Sequence, residues 1–179
     1  LLAEVDESPY LSTKVAIDPD RLADIPGQIE ESLHGSLRRL SRDSVDLLQL
    51  HNAIEPENGE RAIAVDEVLR DRGVADGLDA MREQGLTLFT GITALGNAAC
   101  CRRVIESGRF DSAQVYYNLI NPSAGQPVAE GWSGHDFGGI IAACRGSDVA
   151  VMNIRVLAAG VLATDQRTGR EIHVATGSD

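Results

Sequence analysis

Basic side chains are in short supply in this sequence. Lys and Arg together number 16 against 27 Asp and Glu, which leaves a formal net charge of -11. Such a chain repels a polyphosphate backbone, and no Lys/Arg stripe alternates with aromatics, so nucleic acid is not an expected partner. Long apolar runs are missing as well: no stretch of about 18 uninterrupted apolar residues is present, so no membrane span is expected. Cysteine is limited to 3 residues, Cys100, Cys101 and Cys144, an odd number without CxxC spacing. Neither a disulfide framework nor a zinc site follows from that pattern, and the three read as packing residues. No His, Asp or Glu cluster has ligand-like spacing at a strand end, so no metal is expected. The first residues, LLAEVDESPY, lack the basic region, apolar core and cleavage site of a secretory signal. A cytoplasmic, reducing location is the resulting expectation.

What the sequence does contain is enough apolar residues, 43%, for a sizeable core, arranged as short β-rich runs alternating with helical patterns. That alternation is the mark of a parallel sheet wrapped by crossover helices. Strands are expected near Tyr10–Ile17, Ser44–His51, Leu86–Ile92, Asp111–Asn118 and Asp148–Ile154. The first helix places Ile29, Leu33, Leu37 and Leu40 on one face, and a later one does the same with Val74, Leu78 and Met81. Gly73 and Gly77 lower the propensity of that later helix by roughly 1 kcal/mol each relative to alanine, so packing must hold it. Further helices are expected around Asn97–Ser107 and Phe137–Cys144, and the polar run AIEPENGERA should lie over the C-terminal end of the second strand. The βα unit repeats across residues 1–179 without a linker, which reads as a single domain of about five βα units. Five strands are fewer than the eight that close a βα barrel.

The run SLRRLSRDSVDLLQLH, residues 36 to 51, resembles the aldo-keto reductase signature, in which a helix ending SLxxL precedes a D-x-x-D-L-x-x-x-H strand. LSTKV at residues 11 to 15 is similar to the family's preceding strand. LFTGITALG resembles the strand usually ending G-x-S-N, FDSAQVYYNLINP the strand with a nicotinamide-binding glutamine, and VMNIRVLAAGVL the strand usually ending P-L-x-x-G-x-L. The resemblance implies a (β/α)8 TIM barrel, present here in part. It also implies an NAD(P)H-dependent oxidoreductase that moves a hydride between nicotinamide and a small carbonyl, alcohol or sugar, with NADP, or else NAD, as cofactor.

Carried over residue by residue, the resemblance makes Lys14 and His51 the candidate catalytic residues. A cation and an imidazole on consecutive strands, about 4.8 Å apart, would flank one substrate oxygen and stabilise negative charge there. It makes Thr93, Gln114, Ile154 and Arg155 the candidate cofactor residues. Gln114 offers an amide's donor and acceptor to a carboxamide, and Thr93 keeps a hydroxyl while Ala94 stands where the family has an amide. Ile154 stands where the ring-stacking residue is usual and gives an apolar wall, and Arg155 is placed to reach the pyrophosphate or the substrate. The family's tyrosine and aspartate, in a D-T-A-x-x-Y-G type motif, have no counterpart in this sequence. The alternative expectation is therefore a catalytically incomplete relative that binds nucleotide or a partner. Tyr10 lies four residues before Lys14 and is no substitute for the tyrosine. Trp132 is expected to pin its loop, and an oligomer is compatible with the sequence.

Overall fold

The computed structural model describes residues 9–166. Strand β1 is Ser12–Val15. A 3-10 turn, Pro19–Asp24, follows and leads into helix α1, Ile25–Leu40. The Asp24 carboxylate accepts from the Gly27 N–H at 3.1 Å and so caps donors that the first turn leaves unpaired. The helix stops at Ser41, whose φ of 54° takes the chain into the left-handed region. Strand β2, Val45–Leu50, leads into two three-residue strands, β3, Ala53–Glu55, and β4, Ala62–Ala64, which pair with each other. Helices α2, Val65–Leu69, and α3, Val74–Glu83, come next, then β5, Thr87–Thr93, and α4, Ala98–Glu106. Strand β6, Ser112–Tyr116, a long loop, helix α5, Ile140–Gly146, and β7, Ala150–Ile154, complete the described elements save a closing 3-10 turn at Ala158–Gly160.

All five long strands are parallel, in the order β1-β2-β5-β6-β7. Spatial order follows chain order and never reverses, so the sheet is wound in one direction, as in a βα barrel, and has none of the switch points of a doubly wound sheet. The two faces differ accordingly. Val15, Leu48, Leu50, Ile92, Ala113 and Val115 are each 0% exposed and lie on the face that the helices cover. Ile29, Leu33 and Leu37 of α1 and Val74, Leu78 and Met81 of α3 join the same core, as their spacing requires. The opposite face carries Lys14, Gln49, Gly91, Ser112 and Ala150 in one row, by the ladder register.

Strands β1, β2, β6 and β7 run shorter than expected from the sequence because ladder pairing ends before the apolar pattern does, whereas β5 keeps its expected length and lies one residue later. Gly73 is the N-cap of α3 and lies outside its interior. Gly77 has a packing role: a Cβ there would sit 2.6 Å from Ile29 Cδ1 and 3.3 Å from Pro26 Cα, so α1 and α3 approach each other across a bare backbone. The run after β2, expected as a loop over the strand end, begins with β3 and ends at the first residue of β4.

Candidate active site

The geometry starts at the C-terminal ends of β1 and β2. Lys14 pairs with Gln49 in the parallel ladder, so their side chains leave the same face of the sheet. The His51 N–H donates to the Val15 carbonyl at 2.8 Å, which extends the ladder one residue past β2. Period-two alternation then puts His51 on the face of Lys14 and Gln49. Asn52 fastens the two strand ends together. Its Oδ1 accepts from the Ile17 N–H at 2.7 Å and its Nδ2 donates to the Ile17 carbonyl at 2.9 Å. With Asn52 4% exposed, this two-point clamp is shielded from competing water.

Along the next strands the register pairs Thr93 with Gln114, Gln114 with Met152, and Tyr116 with Ile154. Lys14, His51, Thr93, Gln114 and Ile154 therefore share one face at one end of the sheet. Arg155 is set apart from them. It follows β7 with φ of 59°, a conformation that breaks strand alternation, and its carbonyl accepts from Asn118 Nδ2 at 3.0 Å and the Ala158 N–H at 2.8 Å.

Two polar atoms on this face bear on a cofactor. Thr93 Oγ1 and Gln114 Oε1 are buried with no hydrogen-bond partner among the described residues. Gln114 Nε2 is taken, donating to Gln49 Oε1 at 3.0 Å. What Gln114 still offers is an acceptor, and what Thr93 offers is a hydroxyl able to donate. A nicotinamide carboxamide presents the reciprocal pair, an NH2 and a carbonyl, so these residues fit that group. Unpaired polar atoms out of reach of water cost about 1–3 kcal/mol each, a cost a ligand bringing their partners would remove. Ile154 is half-buried beside them and supplies the apolar wall.

The loop between β6 and α5 is braced by its own polar groups. Asn118 Oδ1 accepts from the Ile120 and Asn121 N–H groups, both at 2.9 Å. The His135 carbonyl accepts from Asn121 Nδ2 at 2.9 Å, Ser123 Oγ at 3.2 Å and Trp132 Nε1 at 3.3 Å, so Trp132 does pin this loop. Phe137 stacks on Tyr116 with centroids 5.2 Å apart, tying the loop to β6. Cys100, Cys101 and Cys144 are buried, and burial pushes the Cys101 thiol up to about 12. Among the described residues no group of His, Cys, Asp or Glu could hold a metal, and no helix is long and apolar enough to cross a membrane.

Sequence reasoning overlooked Gln49 and Asn52. The available signal was polarity in the wrong place: an amide inside the apolar run DLLQL must find partners, and its two-residue offset from His51 puts it on the same face.

A one-directional parallel sheet, apolar toward its helices and mixing polar and apolar side chains on its inner face, is part of a (β/α)8 barrel. The sequence profile described as the Aldo/keto reductase family matches residues 2–177, and the chain belongs to that family. No curated protein matches it. Among solved structures it is similar to the holo form of an aldo-keto reductase from Bacillus halodurans, at TM-score 0.66 and 18% identity, over 94% of this chain and 50% of that one. An aldo/keto reductase from Klebsiella pneumoniae in complex with NADP and acetate gives TM-score 0.59 at 18% identity, over 90% of this chain and 48% of that one. The Bombyx mori aldo-keto reductase in complex with NADP gives 0.55 at 20%, over 86% and 44%. The chain thus spans about half the length of the solved structures it matches.

Proposed function

We propose that the protein is an NADP(H)-dependent oxidoreductase acting on a small carbonyl compound, alcohol or sugar, and that this chain carries the carbonyl-polarising and carboxamide-binding residues. The observation that carries the reading is the common face of Lys14, His51, Thr93 and Gln114 at the C-terminal ends of neighbouring strands. The nicotinamide, when bound, supplies or accepts the hydride. Thr93 and Gln114 orient its carboxamide, Ile154 backs the ring, and Arg155 stands at the turn beyond for the pyrophosphate or the substrate. Lys14 and His51 hold the carbonyl oxygen from two adjoining strands, and their preset charge and N–H dipole favour the negative charge that gathers there. Location in the reducing cytoplasm suits a chain whose three cysteines are buried free thiols.

The test is titration with NADPH followed by the fluorescence of Trp132, together with a carbonyl-reduction assay. We expect saturable binding, and turnover that Lys14→Met and His51→Ala each lower about a hundredfold or more while binding changes little. Binding without turnover in an intact barrel selects the alternative of a nucleotide-binding relative, and absence of NADPH binding there rejects the oxidoreductase reading and leaves the partner-binding one.

A further inference from the structure

The interior face holds a polar relay that the site as described does not use. Gln49, one residue before the end of β2, is 0% exposed and two residues short of His51. Its Oε1 accepts from Gln114 Nε2 at 3.0 Å and from Ser12 Oγ at 3.3 Å. Its Nε2 lies 3.9 Å from Met152 Sδ, within hydrogen-bonding range of a sulfur acceptor. The chain of contacts therefore links Met152 of β7, Gln49 of β2 and Gln114 of β6.

An amide pair can keep its mutual hydrogen bond in two ways, because turning both amides over exchanges donor for acceptor at each end. The serine hydroxyl does not choose between them, since it donates or accepts equally well. Met152 does choose. A thioether has lone pairs and no proton, so it accepts only. With Gln49 Nε2 toward it the contact is attractive, whereas the turned amide would set an oxygen against the sulfur. Gln49 is thereby fixed with its oxygen toward Gln114, and Gln114 is fixed with its nitrogen consumed and its Oε1 left over. Turned the other way, Gln114 would offer a donor where a carboxamide NH2 needs an acceptor.

We propose that Gln49 and Met152 are positioning residues that set the polarity of Gln114, so that the site accepts a ligand bearing an N–H donor and discriminates against an isostere that lacks it. This rests on the reading of Gln114 as a carboxamide-binding residue. Neither Gln49 nor Met152 needs to touch the ligand.

Two measurements test the relay. The first uses the cofactor-free protein: exchange of the Gln114 side-chain amide protons, followed by NMR, should be slowed by the bond to Gln49 and should speed up about fivefold in Gln49→Leu, the equivalent of one net hydrogen bond. Unchanged exchange overturns the relay. The second compares the affinities of NADP+ and its 3-acetylpyridine analogue, which replaces the NH2 by a methyl group. The parent should prefer NADP+ about fivefold. The preference should fall to near unity in Gln49→Leu and in the nearly isosteric Met152→Leu, which keeps the proposal testable if the former fails to fold. General damage to the site would weaken both nucleotides alike and leave the preference intact. If Gln114→Ala abolishes the preference while Met152→Leu keeps it, the positioning role is overturned and the carboxamide reading stands. If Gln114→Ala keeps the preference, the carboxamide reading falls, and the exchange measurement still decides whether the relay exists.

Discussion

Replacing Asn52 by alanine should loosen the junction on which the Lys14–His51 arrangement depends. The substitution removes two hydrogen bonds, at 2.7 and 2.9 Å, from the backbone N–H and carbonyl of Ile17. Ile17 is itself 2% exposed. A buried backbone group left without a partner costs about 1–3 kcal/mol, and water entering the vacated space keeps each toward the lower half, for a total of about 2–4 kcal/mol. At about 2–4 °C per kcal/mol for a chain of this size, the melting temperature should fall by roughly 5–15 °C. Asn52→Asp sharpens the test. It retains the acceptor for the Ile17 N–H but sets a carboxylate against the Ile17 carbonyl, so burial and repulsion raise its folded-state pKa above the unfolded value. A raised folded pKa means the group's contribution to stability is full below the unfolded value and is lost as pH rises through the folded one. The aspartate variant should therefore melt nearer to the parent in mild acid than at neutral pH. Circular dichroism melts over that range are the assay. A melting temperature for Asn52→Ala within about 2 °C of the parent would refute the clamp.

Other consequences are equally direct. Gly77→Ala should destabilise by about 1 kcal/mol in urea denaturation, since a gain of about 1 kcal/mol in helix propensity is outweighed by overpacking against Ile29. Adding Ile29→Val should recover part of that loss, and strict additivity would count against the contact. The side-chain hydrogen bond from Arg109, then the Arg72 backbone N–H, hold the Asp76 carboxyl below its ordinary value. Its contribution to stability is present above the unfolded value and lost as pH falls through the depressed one. Arg109→Gln should move the Asp76 NMR titration midpoint upward, and an unmoved midpoint would show that the pair does not set it. Cys101, buried with its thiol at about 12, should resist a thiol reagent at pH 8 until the protein unfolds, whereas rapid labelling of the native protein would contradict its burial.

The large elements were legible because period and length agree with packing: Ile29, Leu33 and Leu37 are buried where a 3.6-residue repeat puts them. The short strands β3 and β4 were not. Three-residue strands inside a polar run carry no period, and their pairing depends on a turn that composition does not specify. The shared face of Lys14, His51, Thr93, Gln114 and Ile154 follows from alternation within each strand, but only the ladder register relates one strand to the next. Arg155 escaped because its left-handed φ is set by the turn behind it, where Asn118 holds its carbonyl. Gln49 reads locally as an exception inside an apolar run, and its meaning appears only with Gln114 and Met152, distant in sequence, on the same face.

The small paired strands also bind two rim loops into one body. The Ile54 N–H donates to the Leu95 carbonyl at 2.8 Å and the Asn97 N–H to the Ile54 carbonyl at 2.9 Å, so the segment after His51 is stitched by backbone to the segment after Thr93. Gly96, at φ of 102°, makes room for the seam, since a Cβ there would lie 2.5 Å from the Ile54 oxygen. Any change in one loop is thereby communicated to the other, and the mouth above these strands moves as a unit or not at all. Length could be added without cutting that seam at the exposed tip, residues 56–61, which is where a lineage altering the reach of this rim would have freedom to vary.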